Sequence, residues 1–208
     1  MIRITDLSLK IGKEMILSNI NLHIEKGKIT GLVGRNGCGK TMLMKCITGF
    51  VKATEGEIIF ADKEIGVDVD FPSNTGIIIE TPTFVPYYSG MKNLMELASL
   101  KGKIGKQEVE EALKNVGLYE ARHKLVRKYS LGMRQRLGIA QALMENPDTL
   151  ILDEPMNGLD NECVSLVRDI LTDLKKQGKT ILLVSHNAFD INLLCDEIYE
   201  MDKGRICI

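Results

Sequence analysis

The sequence predicts an α/β fold: a mainly parallel sheet flanked by helices, an antiparallel β portion early in the chain, and a helical insertion between two halves of the core. Three observations carry this. Short apolar runs alternate with segments of helical period, the pattern that builds parallel sheets through crossover helices. Residues 34–41, Gly-Arg-Asn-Gly-Cys-Gly-Lys-Thr, fit G-x-x-x-x-G-K-[ST] at every fixed position, with an apolar run before them and a helical pattern after. Between residues 82 and 147 strand patterning gives way to helical patterning.

The elements follow in order. Ile2 and Ile4, then Leu7, Leu9 and Ile11, alternate with polar residues, as do Ile20, Leu22 and Ile24, which predicts strands with one buried face. A turn at 25–28 precedes the apolar run 29–33, a buried strand that feeds the glycine-rich loop, and 42–47 is read as the helix behind it. Thr54-Glu55-Gly56 marks a turn into a strand at 57–60. Gly76 precedes the run 77–80, which reads as a strand covered on both faces. Pro82 and Pro86 then break regular structure, and amphipathic helices are predicted over 91–100 and 107–116, punctuated by Gly102, Gly105 and Gly117. From Met133, the residues Leu137, Ala140, Leu143 and Met144 keep helical spacing until Asn146-Pro147 ends it. The core resumes with a strand at 149–152. After it come a helix with Val164, Val167, Ile170, Leu171 and Leu174 on one face, a strand at 180–184 and a hairpin around Asp202-Lys203-Gly204. One domain of residues 1–208 results: 1–81 and 148–208 form the core with its β subdomain, and 82–147 the helical subdomain.

Composition narrows the function classes. Of 208 residues 44% are hydrophobic and 26% charged, an ordinary globular balance that argues against disorder. A net charge of -1 gives no electrostatic footprint for nucleic acid, so no nucleic-acid partner is expected. No apolar run approaches the ~20 residues of a membrane span, and the N-terminal residues lack the pattern of a signal peptide, so a cytoplasmic location is expected. Five cysteines without a C-x-x-C pair are read as free thiols.

Chemistry concentrates in three places. In the loop, Gly34, Gly37 and Gly39 let the chain turn tightly and approach phosphates without a Cβ in the way, with Arg35, Asn36 and Cys38 at the unspecified positions. Lys40 is assigned to the β- and γ-phosphates of a nucleotide and the Thr41 hydroxyl to Mg²⁺, while Met42 adds a backbone N–H at the helix N-terminus. The second place is the acid pair Asp153-Glu154 at the end of a short apolar strand. Asp153 is assigned to Mg²⁺ and Glu154 to the water that attacks the γ-phosphorus. The third is Tyr129-Ser130-Leu131-Gly132-Met133, where Ser130 is a natural N-cap and the N–H groups behind it suit another phosphate.

The order of phosphate loop, Ser130-x-Gly132, Asp153-Glu154, Asn157-Gly158-Leu159-Asp160 and Ser185-His186 resembles the ATP-binding subunit of an ABC transporter over essentially the whole chain. The resemblance implies a P-loop NTPase fold with a RecA-like core, an antiparallel β subdomain and an inserted helical subdomain. It implies ATP and Mg²⁺ as cofactors and ATP hydrolysis as the activity, with Lys40, Glu154 and His186 as catalytic residues and His186 on the γ-phosphate. Two such subunits pack head to tail in that family, so Ser130 and Gly132 of one copy contact the ATP held by the loop of the other, and Asp160 lies between the sites. A homodimer and a heterodimer with a related subunit both fit. The implied partner is a separate integral membrane permease, which places the protein at the inner face of the cell membrane.

Four positions depart from the family pattern. Leu131 and Met133 replace the usual Gly and Gln of the signature. Glu80 stands where a Gln near the metal is usual; as an acid it is a metal-ligand candidate that also adds negative charge beside the phosphates. Ile11 stands near the place of the aromatic that stacks on adenine, giving a weaker apolar contact. The wording Tyr-Ser-Leu-Gly-Met, with Glu80, is similar to ATPases of peptide-antibiotic export or immunity permeases. The segment Thr83-Phe84-Val85-Pro86-Tyr87-Tyr88 has two readings, packing within the helical subdomain or presenting aromatics to the permease. Two alternative classes are an ABC ATPase without a transport role and a nucleotide-switched regulatory subunit that does not turn over.

Overall fold

The computed structural model describes residues 1–207. Its centre is a six-stranded sheet of order β10-β9-β3-β8-β7-β6, formed by β3 (Ile29–Val33), β6 (Thr75–Ile78), β7 (Thr149–Asp153), β8 (Thr180–Val184), β9 (Glu197–Asp202) and β10 (Arg205–Ile206). All neighbours in it are parallel except β9 and β10, which make the hairpin expected around Lys203-Gly204. A second, antiparallel sheet of order β2-β1-β4-β5 comprises β1 (Ile2–Ile11), β2 (Glu14–Ile24), β4 (Glu55–Phe60) and β5 (Lys63–Glu64).

The apolar set of β1 steps from even to odd positions between Ile4 and Leu7, and the structure shows why. Asp6 and Asn19 both take left-handed backbone (φ 48 and 51), and the pairing register shifts beside them. The bulge is held by the Asp6 N–H donating to Asn21 Oδ1 at 3.0 Å and the Asn19 N–H donating to Ser8 Oγ at 3.1 Å. One extra residue flips the alternation, so Ile2, Ile4, Leu7 and Leu9 all face the core. Ile11, beyond it, is exposed at the strand end.

All five residues of β7 and of β8 are buried because each strand serves two apolar clusters. Leu150, Leu152, Ile181 and Leu183 pack with the helical subdomain side, including Leu94, Leu113 and Leu137. Ile151, Leu182 and Val184 pack on the opposite face with Leu32, Leu43 and Ile47 and with the β subdomain through Ile2, Leu7 and Leu17. This two-sided cover explains why those strands read as continuous apolar runs.

The helical subdomain contains α2 (Gly90–Lys101), α3 (Lys106–Asn115) and α4 (Leu131–Leu143), close to the spans predicted from periodicity; α1 (Lys40–Ile47) and α5 (Asn161–Lys176) belong to the core. Two expectations are corrected. The run 77–80 is not a strand covered on both faces: β6 spans Thr75–Ile78, pairs only with β7 at the sheet edge, leaves Ile77 half-buried, and ends before Glu80, whose φ of 62 turns the chain away. The helix α6 (Ala188–Leu194), capped by the Asn187 side chain, was not expected; seven residues are too few to show a period.

Gly76 sets the contact between β6 and α4. A Cβ there would lie 2.1 Å from the Ala142 carbonyl oxygen, so the helix rests directly on strand backbone. Gly76→Ala is expected to lower stability by about 1–3 kcal/mol through overpacking, seen as a lower urea midpoint at unchanged slope.

Candidate functional site

In a parallel sheet the carboxyl ends of the strands share one edge, and here that edge collects the loop after β3, the acid pair after β7 and Ser185-His186 after β8. The loop between Val33 and Lys40 is shaped by glycine. Gly34 has φ 148, and a Cβ on it would lie 2.2 Å from the Met201 carbonyl oxygen, so only glycine lets the loop press against the β9–β10 hairpin. The Gly204 N–H donating to the Cys38 carbonyl at 2.9 Å fastens the other side of the loop to the same hairpin. Gly37 (φ 79) sits at an open crest where an added Cβ would meet nothing within 4 Å. Arg35 and Asn36 are exposed beside it, whereas Cys38 is buried beneath.

Gly39, at φ 111, caps α1 without any side-chain hydrogen bond, and no acid lies in the first turn of that helix. The leading N–H groups of Lys40, Thr41 and Met42 therefore have no side-chain acceptor, and they sit at the positive end of the helix dipole. Lys40 arches back so that Nζ donates to the carbonyls of Gly34 (2.7 Å) and Arg35 (3.0 Å), which holds its cation over the same hollow. Backbone donors, a helix N-terminus and a lysine converging on a glycine-shaped cradle fit a phosphate chain.

The Thr41 hydroxyl donates to Asp153 Oδ2 at 2.8 Å, and Asp153 is 9% exposed. Two hard oxygens side by side at the foot of the cradle fit Mg²⁺, which takes few protein ligands and completes its shell with phosphate and water oxygens. Among the described residues no three His, Cys, Asp or Glu side chains converge as a metal cage. Glu80 Oε1 pairs with Lys45 Nζ at 2.6 Å.

Glu154 follows at the turn with φ 49, its N–H donating to the Val184 carbonyl at 3.0 Å. Its Oε2 lies 2.8 Å from His186 Nδ1, so two side chains assigned separately from sequence form one contact. His186 is largely exposed and Glu154 only about a quarter so, which leaves the histidine at the rim and the acid beneath it. Sequence reasoning missed Gln135. It is 6% exposed on α4 and its Nε2 donates to the carbonyls of Glu154 (3.3 Å) and Pro155 (3.1 Å), tying that helix to the turn that carries Glu154. Flanked by Arg134 and Arg136 on a helix that also carries Gln141, it gave no local signal of burial.

Ser130 caps α4 as expected, accepting from the Met133 N–H at 3.1 Å. Gly132 packs on the next signature turn, where an added Cβ would stand 3.3 Å from the Gly158 carbonyl oxygen. Asp160 in turn caps α5 by accepting from the Cys163 N–H at 2.8 Å, a bond that holds its carboxyl below the usual range. The hydrogen bonds of Ser130 and Asp160 thus run to their own helices. The aromatic segment divides between its two readings: Phe84 is half-buried against the helical core, and Tyr87 is exposed with the Arg127 guanidinium 5.5 Å from its ring centre. Beside it, between β6 and the helices α2 and α4, lies a hollow of about 450 Å³ lined by Phe50, Ile77, Ile79, Pro82, Leu97 and Leu100 among others.

A family model described as ABC transporter matches residues 17–157. The chain is 43% identical over 206 residues to the uncharacterized ABC transporter ATP-binding protein YybJ of Bacillus subtilis, covering 99% of this chain and 94% of that one. It is 42% identical to the bacitracin transport ATP-binding protein BcrA of Enterococcus faecalis, covering 97% of this chain but 66% of BcrA, so it spans just under two thirds of that relative's length. It is 38% identical to the lantibiotic transport ATP-binding protein SrtF of Streptococcus pyogenes, over 100% of this chain and 90% of SrtF. Among solved structures, the dimeric post-hydrolysis state of the ATP-binding cassette MJ0796 bound to ADP and Pi superposes with TM-score 0.89 at 23% identity, covering 100% and 97% of the two chains, a likeness of fold.

The cradle depends on Gly34 for its contact with the hairpin. Gly34→Ala is expected to push the loop off Met201 and weaken triphosphate binding by about ten-fold or more, the strain falling where only glycine is at ease; titration with a fluorescent nucleotide checks this.

Proposed function

This chain belongs to the ABC transporter family as one of its ATP-binding ATPases, and from that premise we propose that it hydrolyses ATP between two head-to-tail copies to power a separate membrane permease of the peptide-antibiotic export or immunity type. The observation that carries the reading is the continuity of Thr41–Asp153 and Glu154–His186 along one sheet edge, under a cradle built for phosphates. The names of BcrA and SrtF, which concern bacitracin and lantibiotic transport, support the substrate class. No helix among the described residues is long and apolar enough to cross a membrane.

Each residue then has a physical task. The amides of the loop and of α1, with Lys40, hold the triphosphate and gather the negative charge that grows on its oxygens during transfer. Thr41 and Asp153 would hold Mg²⁺, whose charge would offset the negative charge of the phosphates. Glu154 accepts the proton of the attacking water, and His186, in contact with its carboxylate, orients it and reaches toward the γ-phosphate. Ile11, exposed where β1 ends, gives the adenine an apolar rather than a stacking contact. Glu80 is kept off the metal by its pairing with Lys45.

In the dimer, Ser130 and Gly132 of one copy close over the ATP of the other, with the N-terminus of α4 aimed at the γ-phosphate. Gln135 makes this closure bear on the catalytic turn of its own chain, since the helix that Ser130 begins is hydrogen-bonded to the Glu154 carbonyl. The hollow between β6 and the helical subdomain, with Leu100 and Phe50 exposed at its rim, suits an apolar cytoplasmic segment of the permease.

Phosphate release with Mg²⁺ and ATP tests hydrolysis directly, and its complete absence would leave a nucleotide-switched regulator as the better description. Glu154→Gln is expected to keep ATP affinity and lower turnover by about 10²-fold or more, with a dimer trapped by ATP on sizing chromatography. Ser130→Arg is expected to abolish turnover in the dimer yet leave ATP affinity of the monomer within about two-fold, because the serine serves the other copy's site; affinity measured at dilution separates the two. Leu100→Glu is expected to leave basal hydrolysis intact and to reduce permease co-purification by about ten-fold, the cost of a buried unpaired carboxylate.

A further inference from the structure

One ion pair beside the candidate site has no part in the catalytic scheme. Lys45 Nζ and Glu80 Oε1 stand 2.6 Å apart, and among the described residues neither has another ion-pair partner. The location gives the pair its meaning. Lys45 lies on α1 four residues past Thr41, which is one turn or about 6 Å along the same helix face. Glu80 is where the chain leaves the edge strand β6 for the helical subdomain, and its left-handed backbone makes that departure abrupt. A carboxylate is thus paired to a side chain rooted one helical turn from Thr41, and an uncompensated negative charge on this side of the site opposes binding of a polyanion.

We infer that Lys45 is a positioning residue: it cancels the charge of Glu80 beside the triphosphate site and clasps the entry of the helical subdomain to the helix that carries the phosphates. The inference rests on the ATP-binding reading above and adds to it a residue with no role in the catalytic scheme. Glu80 is mostly exposed and Lys45 about a quarter exposed, so the pair contributes little to global stability. Its loss is therefore read in nucleotide affinity and in the set of the helical subdomain, not in unfolding.

The test is a titration of a fluorescent ATP analogue against wild type, Lys45→Met, Lys45→Arg and the double variant Lys45→Met/Glu80→Gln, with Mg²⁺ and in EDTA. Lys45→Met is expected to bind about five-fold more weakly, a loss that persists in EDTA and shrinks in about 0.5 M salt. Lys45→Arg and the double variant are expected to recover to within about two-fold of wild type, since each restores the charge balance. Thermal midpoints close to wild type confirm that the variants are folded, and Lys45→Gln replaces Lys45→Met if the latter is insoluble. Wild-type affinity in Lys45→Met overturns the inference. So does a double variant as weak as the single one, which means Lys45 acts on phosphate directly, and so does a loss confined to Mg²⁺, which means Glu80 acts through the metal. Failure of the wild-type protein to bind the analogue would instead refute the ATP-binding reading itself.

Discussion

The whole site depends on leaving the first amides of α1 without protein partners. Most helix starts are closed by a Ser, Thr, Asp or Asn side chain, as Ser89, Ser130, Asp160 and Asn187 do elsewhere in this chain. At α1 the cap is Gly39 and no acid follows, so the donors stay available to an anion. Such a start is weak on its own terms and is held in place from outside. The hairpin β9–β10 presses on Gly34 and bonds to Cys38, and Leu43, Met44 and Ile47 anchor the helix in the core.

The rest of the edge is ordered by charge. A nucleotide triphosphate brings a large local negative charge, and the protein places each charged group with a partner that fixes it: Lys40 on loop carbonyls, Asp153 under the Thr41 hydroxyl, Glu154 against His186, Glu80 against Lys45. Partnered groups cost little to reorganise during a reaction, which is the advantage of a preorganised site over water. The chain continues this logic into the helical subdomain, where Gln135 connects the Ser130 helix to the Glu154 turn and the Lys45–Glu80 pair joins α1 to the segment beyond β6.

Much of this was legible beforehand because local chemistry fixed it. The glycine-rich loop needs particular residues at particular spacings, the buried strands β3, β7 and β8 need unbroken apolar runs, and α4 needs a cap where Ser130 stands. Where signals were short or compensated, reading failed. The strand at 77–80 was drawn too late and too deep, because apolar character alone does not distinguish an edge from a centre. The seven residues of α6 carry no measurable period, and the step of β1 from even to odd positions disclosed a bulge only once Asp6 and Asn19 were seen at positive φ.

The sequence by itself determined the phosphate cradle, the acid pair and the alternation of strands and helices, since each is written in neighbouring residues whose backbone freedom, charge or hydropathy acts locally. Only the tertiary structure decided which distant side chains meet: Thr41 with Asp153, Glu154 with His186, Gln135 with the Glu154 carbonyl, Lys45 with Glu80. These contacts depend on strand order and helix placement, which arise from the simultaneous burial of both sheet faces, a condition no single segment of the chain contains.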